Sequence, residues 1–463
     1  MKSFLNTYSP FYRRNLKLAL PVILSQVGQI TVQLADTAMV GNYGGDDPTP
    51  LAAVSYATSI FFIVFVTVMG LTFGLTPLVG EHYAKGNKSY VKELLRSGFV
   101  LFTLIGALTT LLLIAIRPLF RIMGGIMISS GSDTSISEVI DLALPYYDVI
   151  IWSIFPVMIW GTIKQFLEGI GNTRIAMTTI IISNIINIFL NWVLIFGHLG
   201  FEAMGALGAG VATLIARIAQ CVIMVIYFLY TPKFREYTQQ LFTLTRLNIK
   251  AMVETMKVGL PIAFQMFMEA SAFALAGVLV LAFGAHSVSA YQIGTNMMNV
   301  TFMIVIAIGS ATTILTSHIY GRRNFGKLRH TVYASYQLGL LWNITIAILY
   351  IIFRNQIPTL FTSNQETIEL TARMLIFIAL FQVSDCLQAI SISILRGLQD
   401  VKVIMPIVFV SYVVFNIPVG YLLAFRTELE SIGLIIGFIV GLSICAVLTI
   451  RRVRRNINRL ERS

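Results

Sequence analysis

Charge is scarce in this chain. Asp, Glu, Lys and Arg make up 12% of the 463 residues against 56% hydrophobic ones, and no hydrophilic run exceeds the one from about residue 231 to 250. A soluble catalytic domain has no room here, so the usual allowance of one domain per roughly 150 residues does not apply. Cys221, Cys386 and Cys445 are the only cysteines. They stand in apolar segments without a CxxC pair or a nearby histidine, which gives no disulfide framework and no zinc site. The five histidines (His82, His198, His286, His318, His330) lie in or beside connections and do not cluster. HExxH and GxSxG are absent, and GEHYAKGNKS, from Gly80 to Ser89, lacks the Gly-Lys-Ser/Thr run of a phosphate loop. An enzyme and an ATP-driven pump are therefore unsupported, which leaves an ion gradient as the energy source. The net charge of +12 is scattered in short basic clusters between apolar runs, which excludes a nucleic-acid patch.

What is present is apolar length. Twelve runs of about 20 residues or more, the first near 15–40 and the last near 430–450, can each cross a bilayer as a helix. The N-terminal MKSFLNTYSPFYRR is polar and basic and leads into a full-length span without a cleavage pattern, so no removable signal peptide is expected. Of the 33 basic residues, 27 fall on alternate connections and the terminal arms, among them Arg13, Arg14, Lys85, Lys164, Arg322, Arg396 and Arg452. Loops on the other side are acidic or bland, as in GNYGGDDPTP and FRTELES. Both termini are expected to face the cytoplasm.

The halves repeat one another. KLALP (Lys17 to Pro21) returns as KVGLP (Lys257 to Pro261), LEGIGNTRIAM (Leu167 to Met177) as LRGLQDVKVIM (Leu395 to Met405), and NIFLNWVLIF (Asn187 to Phe196) as NIPVGYLLAF (Asn416 to Phe425). Six spans return the chain to its starting side, so the two units run parallel about an axis along the membrane normal. The expected fold is all-α and integral to the membrane, with twelve transmembrane helices in two pseudo-symmetric six-helix bundles around a central cavity. Residues 1–230 form the first bundle, 231–250 a cytoplasmic linker and 251–463 the second.

Against this background three acids stand out inside apolar spans. Glu269 lies in FQMFMEASAFALAGVLVLAF with Gln265 one turn before it, Asp385 in FQVSDCLQAISISI, and Asp36 in SQVGQITVQLADTAMVG. A carboxylate at such depth must be protonated, paired or hydrated, and ionisable residues there mark ion or proton pathways. Amides extend each site along a helix face: Gln26, Gln29 and Gln33 before Asp36, Gln382 and Gln388 around Asp385, Gln292, Asn296 and Asn299 in the eighth run, and Asn187 and Asn191 in the fifth. Polar stripes of this kind either line water or hydrogen-bond between helices. Arg217, midway along the sixth run, either snorkels or pairs with an acid.

Four of these segments, in order, resemble the multidrug and toxic compound extrusion (MATE) transporters of the NorM branch over nearly the whole chain. LALPVILSQVGQITVQLADTAMVG is similar to the family's first helix, with Asp36 in its DTxMxG motif, and LEGIGNTR with NIFLNWVLIFG matches its paired asparagines at Asn187 and Asn191. GLPIAFQMFMEASAF places Glu269 on the seventh-helix glutamate, and FQVSDCLQAISISILRGLQD places Asp385 on the aspartate of YQxxDxxQ. Phe381 stands where the branch often has tyrosine, and Tyr291 where it has the histidine of HQIxxN. The resemblance implies an antiporter of the bacterial inner membrane that exports cationic or amphipathic organic compounds in exchange for Na⁺ or H⁺, without a cofactor and as a monomer. Glu269, Asp385 and Asp36 would carry the cation or proton, with Na⁺ at Glu269 and Asp385. Asn187, Asn191, Gln265, Gln292, Asn296, Gln382, Gln388, Gln33 and Tyr291 would support the cavity. A flippase for lipid-linked sugars, from the same superfamily, is the alternative within transporters, and an ion channel the alternative outside them.

Overall fold

The computed structural model describes residues 2–44, 49–118, 135–238 and 247–462. In the first half lie α1 (Lys2–Gly44), α2 (Thr49–Thr72), α3 (Leu75–Ala84), α4 (Lys88–Ala115), α5 (Ser135–Ile150), α6 (Ile154–Gly169), α7 (Arg174–Phe196) and α8 (Gly205–Tyr230). A short α9 (Arg235–Thr238) belongs to the linker, of which 239–246 lie outside the described residues. The second half gives α10 (Ile249–Leu279), α11 (Gly284–Gly321), α12 (Leu328–Ile352), α13 (Gln365–Gly397), α14 (Ile404–Phe409), α15 (Ile417–Arg426) and α16 (Glu430–Glu461). Asparagines set several starts: the side-chain oxygens of Asn87, Asn248 and Asn364 accept from the backbone N–H groups of Tyr90, Ala251 and Thr367 at 3.2, 3.2 and 2.9 Å. Each satisfies an N–H that the first turn leaves unpaired.

Among the described residues, 11 helical stretches are long and apolar enough to span a membrane. One of them, Ile249–Gly321, has 73 residues and cannot be a single crossing. It breaks through a 3-10 turn at Val280–Phe283 and at Gly284, whose φ of 84° is a conformation open to glycine at little cost. Twelve spans result, six per bundle, as the apolar runs and the repeat predict.

The bundles meet along α2 against α10, α1 against α11 and α12, and α3 against α11. At the α2–α10 crossing, a Cβ built on Gly259 would strike the Leu71 carbonyl oxygen, and one on Gly74 would come within 2.6 Å of the Gly259 nitrogen. Only glycine lets the two backbones approach this closely, the small-residue packing that membranes favour where hydrophobicity gives no drive to associate.

Hydrogen bonds between the bundles gather at one end. Tyr12 donates to Gln337 at 2.6 Å, Asn15 to Thr312 and Ser335 at 3.1 Å each, Tyr90 to Glu254, and Gln399 to Glu81. His318 meets the Gly169 carbonyl oxygen at 2.7 Å. Both terminal helices reach this end, where Arg329 pairs with Glu461 at 2.6 Å and the Tyr8 ring lies 5.6 Å from that of His330. Farther along the same faces the bundles part. At about 3.6 residues per turn, Gln33 lies on the face of Asn15, and Asn299 on the face of Ser317, which packs on Gly80. Asn15 and Ser317 are buried, whereas Gln33 and Asn299 are exposed. The central cavity is shut at the end that carries the termini and open at the other.

At the closed end Asp400, between α13 and α14, accepts from Arg452 at 2.6 and 3.0 Å and from Asn456 at 2.6 Å. Burial works against the carboxylate, but the hydrogen bonds from Arg452 and Asn456 outweigh it and hold Asp400 below the usual range. Its stabilising contribution is complete above the unfolded carboxyl value of about 3.9 and is lost as pH falls through the lowered folded value. In thermal melts of detergent-solubilised protein, Arg452→Gln should flatten the fall in midpoint as pH drops below about 4, the unfolded carboxyl value; an unchanged slope would count against the assignment. Gly259→Ala should lower the midpoint by several degrees. Gly277→Ala, in the same helix with nothing within 4 Å of the added carbon, should leave it equal or higher.

Candidate ion and substrate site

Two polar clusters occupy the membrane-spanning part, one in each bundle. In the first, α1 presents half-buried Asp36 to α7, where the Asn191 amide donates to its Oδ1. The same amide lies 3.3 Å from Asn187 Oδ1, and Asn187 in turn donates to Thr213 of α8 at 3.3 Å. Asn187 and Asn191 are one turn apart, so both project from one face of α7 toward α1 and α8. Arg217 of α8 completes the cluster. Its guanidinium donates to Ser153 at 2.6 Å, lies 5.5 and 5.0 Å from the ring centres of Phe61 and Phe65, and acts electrostatically on Asp36. Arg217 is thus held inside the bundle by Ser153 and two aromatic faces, without an ion pair to Asp36.

The second cluster joins α10, α13 and the α14–α15 span. Gln265 donates to Glu269 Oε2 at 3.0 Å, and its own Oε1 accepts from Arg396 of α13. One amide thus connects a cation to an anion, using its two ends in the only sense that satisfies both. Asp385 is 3% exposed and close enough to Glu269 for the two charges to interact, yet its Oδ2 has no hydrogen-bond partner in the protein. Tyr412 is within electrostatic reach of both acids, and its buried hydroxyl is also unpartnered. Gln382 is fully buried with both amide atoms unpartnered, and Gln388 lies beside Cys445.

Buried polar atoms in folded proteins are nearly all hydrogen-bonded. A carboxylate oxygen, a phenol and an amide left over together make a set of hard oxygen donors suited to a proton, Na⁺ or water.

A family model described as MatE matches residues 21–193 and 261–422. The chain belongs to the MatE family. Within this family of membrane transporters it is 31% identical over 441 residues, 94% of its own length and 93% of the relative's, to the multidrug resistance protein NorM of Vibrio vulnificus strain YJ016. At the level of fold it superposes with a TM-score of 0.86 at 21% identity on a MOP superfamily transporter from Pyrococcus furiosus, covering 98% of this chain and 97% of that one. A multidrug resistance MATE family transporter described as outward-facing gives a TM-score of 0.86 at 20% identity with the same coverage.

Within this MatE chain the structure distributes the other predicted residues unevenly. Gln33 is exposed on α1 beyond the closed end, and Gln292 and Asn296 are exposed on α11. Tyr291, grouped with them, turns elsewhere: it is 5% exposed and lies one turn from Gly294, which packs on Ile378 and Met374 of α13. Adjacent helical residues point about 100° apart, and the aromatic ring takes the packed face. Arg396, counted among the connection cations, stands in the last turn of α13, where it bonds to Gln265 and lies 5.9 Å from the Phe73 ring. In sequence its place in LRGLQD, beside Lys402, reads as a connection. Tyr412 was missed altogether. Its one signal is Pro418, which lacks the N–H that would bond to Val414; the span accordingly relaxes into a π-helix over Val410–Asn416 that turns Ser411 and Tyr412 inward.

Asn191→Ala should leave Asp36 and Asn187 each without a donor. The expected cost is about 1–3 kcal/mol, read as a lower midpoint of thermal unfolding; an unchanged midpoint would show that Asp36 takes its hydrogen bonds elsewhere.

Proposed function

We propose that this MatE-family transporter is a multidrug efflux antiporter, exporting cationic or amphipathic organic compounds in exchange for Na⁺ or H⁺ by alternating access. The observation that carries the reading is the unpartnered oxygen of buried Asp385, set against a second acid, Glu269, which Gln265 links to Arg396. A low-dielectric interior penalises two neighbouring negative charges, so the pair takes up a proton or a cation. Occupancy by the coupling ion and occupancy by an organic cation then exclude one another, because each cancels the same charge. That exclusion is what antiport requires. Asp36 with Asn187 and Asn191 forms a second acceptor in the first bundle, and the exposed Gln33, Gln292 and Asn296 provide a wet path between the two.

The protein resides in the bacterial inner membrane with both termini in the cytoplasm, which makes the open end of the cavity the outer one. Residues 1–230 and 251–463 are the two moving units and 231–250 the tether. It works as a monomer, since each bundle carries its own acid cluster. The flippase reading is not favoured: a pyrophosphate needs an uncommitted cationic surface, and the interior arginines here are engaged, Arg217 by Ser153 and two phenylalanine rings and Arg396 by Gln265.

Inverted vesicles given a fluorescent organic cation on the outside, which is the cytoplasmic face, and driven in turn by a proton and a sodium gradient directed outward from the lumen, test this by uptake of the cation. Glu269→Gln and Asp385→Asn should each cut gradient-driven transport at least about tenfold, the scale of one charge-assisted interaction, at normal membrane abundance. Rates within twofold of wild type for both would sink the proposal.

A further inference from the structure

The closed end holds a cleft of about 280 Å³ between the two bundles that the transport reading does not use. Arg14 of α1 contributes one wall, and Arg322 and Lys327, just beyond α11, the other, with Phe11 and Leu315 also lining it. No acidic residue lines it. Among the described residues Arg14, Arg322 and Lys327 enter no ion pair, although Lys85, Lys88, Lys92, Arg329 and Arg452 at the same end all do. The neighbouring cleft at this end shows the contrast: there Lys92, Arg96 and Lys250 share the wall with Glu93 and Glu236. His318 does not add a free donor pair to the basic cleft, because its Nε2 is engaged with the Gly169 carbonyl oxygen.

Three exposed cations with no anion among them line one hollow. An anion seated there meets three charges of opposite sign. Guanidinium pairs favour the tetrahedral oxygens of phosphate, and basic pockets between helices at the cytoplasmic surface recognise anionic headgroups. The apolar lining argues the same way, since Phe11 and Leu315 offer nothing to a small inorganic ion but can cover the glycerol and first methylenes of a lipid.

We propose that this cleft is a binding site for a phosphate group, carried by an anionic phospholipid. Because Arg14 belongs to the first bundle and Arg322 and Lys327 to the second, the bound phosphate bridges them and holds this end shut. That bridging role rests on the alternating-access reading; the binding itself does not. A ligand that contacts both bundles only when they are together shifts the population toward that state.

The test uses the full chain in nanodiscs of phosphatidylcholine, titrated with fluorescent phosphatidylglycerol and, in a separate arm, with inorganic phosphate as competitor. Arg14→Gln with Arg322→Gln should weaken lipid binding by about tenfold or more, whereas Arg451→Gln with Arg455→Gln, exposed at the same end outside the cleft, should not. Competition by inorganic phosphate at low concentration identifies a soluble anion as the source; indifference to it identifies the headgroup. Equal binding by wild type and the Arg14/Arg322 variant, or an equal loss in the control pair, overturns the site. Spin labels on Phe201→Cys and Leu360→Cys, in loops at the opposite end, report the bridging role. Phosphatidylglycerol should narrow the distance distribution toward its longer component in wild type and not in the variant, and an unchanged distribution with intact lipid binding overturns the bridge alone. Failure of transport without loss of binding would instead fault the antiport reading.

Discussion

Negative charge inside a low-dielectric slab is the constraint to which the rest of this molecule answers. A carboxylate there must be given donors, a counter-charge or a proton, and the structure supplies these unequally to its three interior acids. Asp36 receives the Asn191 amide and the nearby Arg217, itself spread over two phenylalanine rings. Glu269 receives Gln265, whose other end is held by Arg396. Asp385 receives a neighbour of its own sign and keeps an oxygen to spare. The first bundle is thus closer to electrostatic closure than the second, and the second is where an added cation gains most.

That inequality arises from helix geometry more than from composition. The two bundles repeat one another in sequence, but Leu167–Glu168–Gly169 in one is Leu395–Arg396–Gly397 in the other. In the first bundle Glu168 is answered by Lys164 of its own helix at 3.7 Å, and the charge is settled locally. The equivalent Arg396 reaches across to α10 instead and joins the acid cluster. One substitution of charge sign within a repeat therefore links the end where the bundles touch to the interior site. Gln265 and Phe73 are the intermediaries, Phe73 sitting just before the glycine crossing at Gly74 and Gly259.

The closed end is held differently. Close backbone approach at glycines and several neutral or half-exposed hydrogen bonds join the bundles there, with no bundle-to-bundle ion pair buried among the described residues. Neutral hydrogen bonds of this kind contribute about 1 kcal/mol each, so the two halves are latched by many weak contacts and not by one strong one. A junction so built can separate at moderate cost, which suits a device that must open the other way.

Composition and periodicity by themselves determined the class: few charges, apolar runs of membrane length, basic residues on alternate connections and a repeat that demands two parallel bundles. They also located Asp36, Glu269 and Asp385, because an acid in an apolar span is conspicuous in one dimension, and they paired Gln265 with Glu269 because one helical turn is a local distance. What only the tertiary structure decided involves contacts between helices far apart in sequence. Arg396 was counted with the loop cations since its neighbours are polar, and only the fold brings it to Gln265 of α10. Tyr412 was invisible because its inward turn depends on a π-helical relaxation within an otherwise apolar span. Tyr291 and Gln292 adjoin in sequence yet face different surroundings, and which of them meets the neighbouring helix is fixed by the rotation of α11. Hydropathy records the cost of placing a group in the membrane, whereas the partner that offsets the cost is chosen by packing.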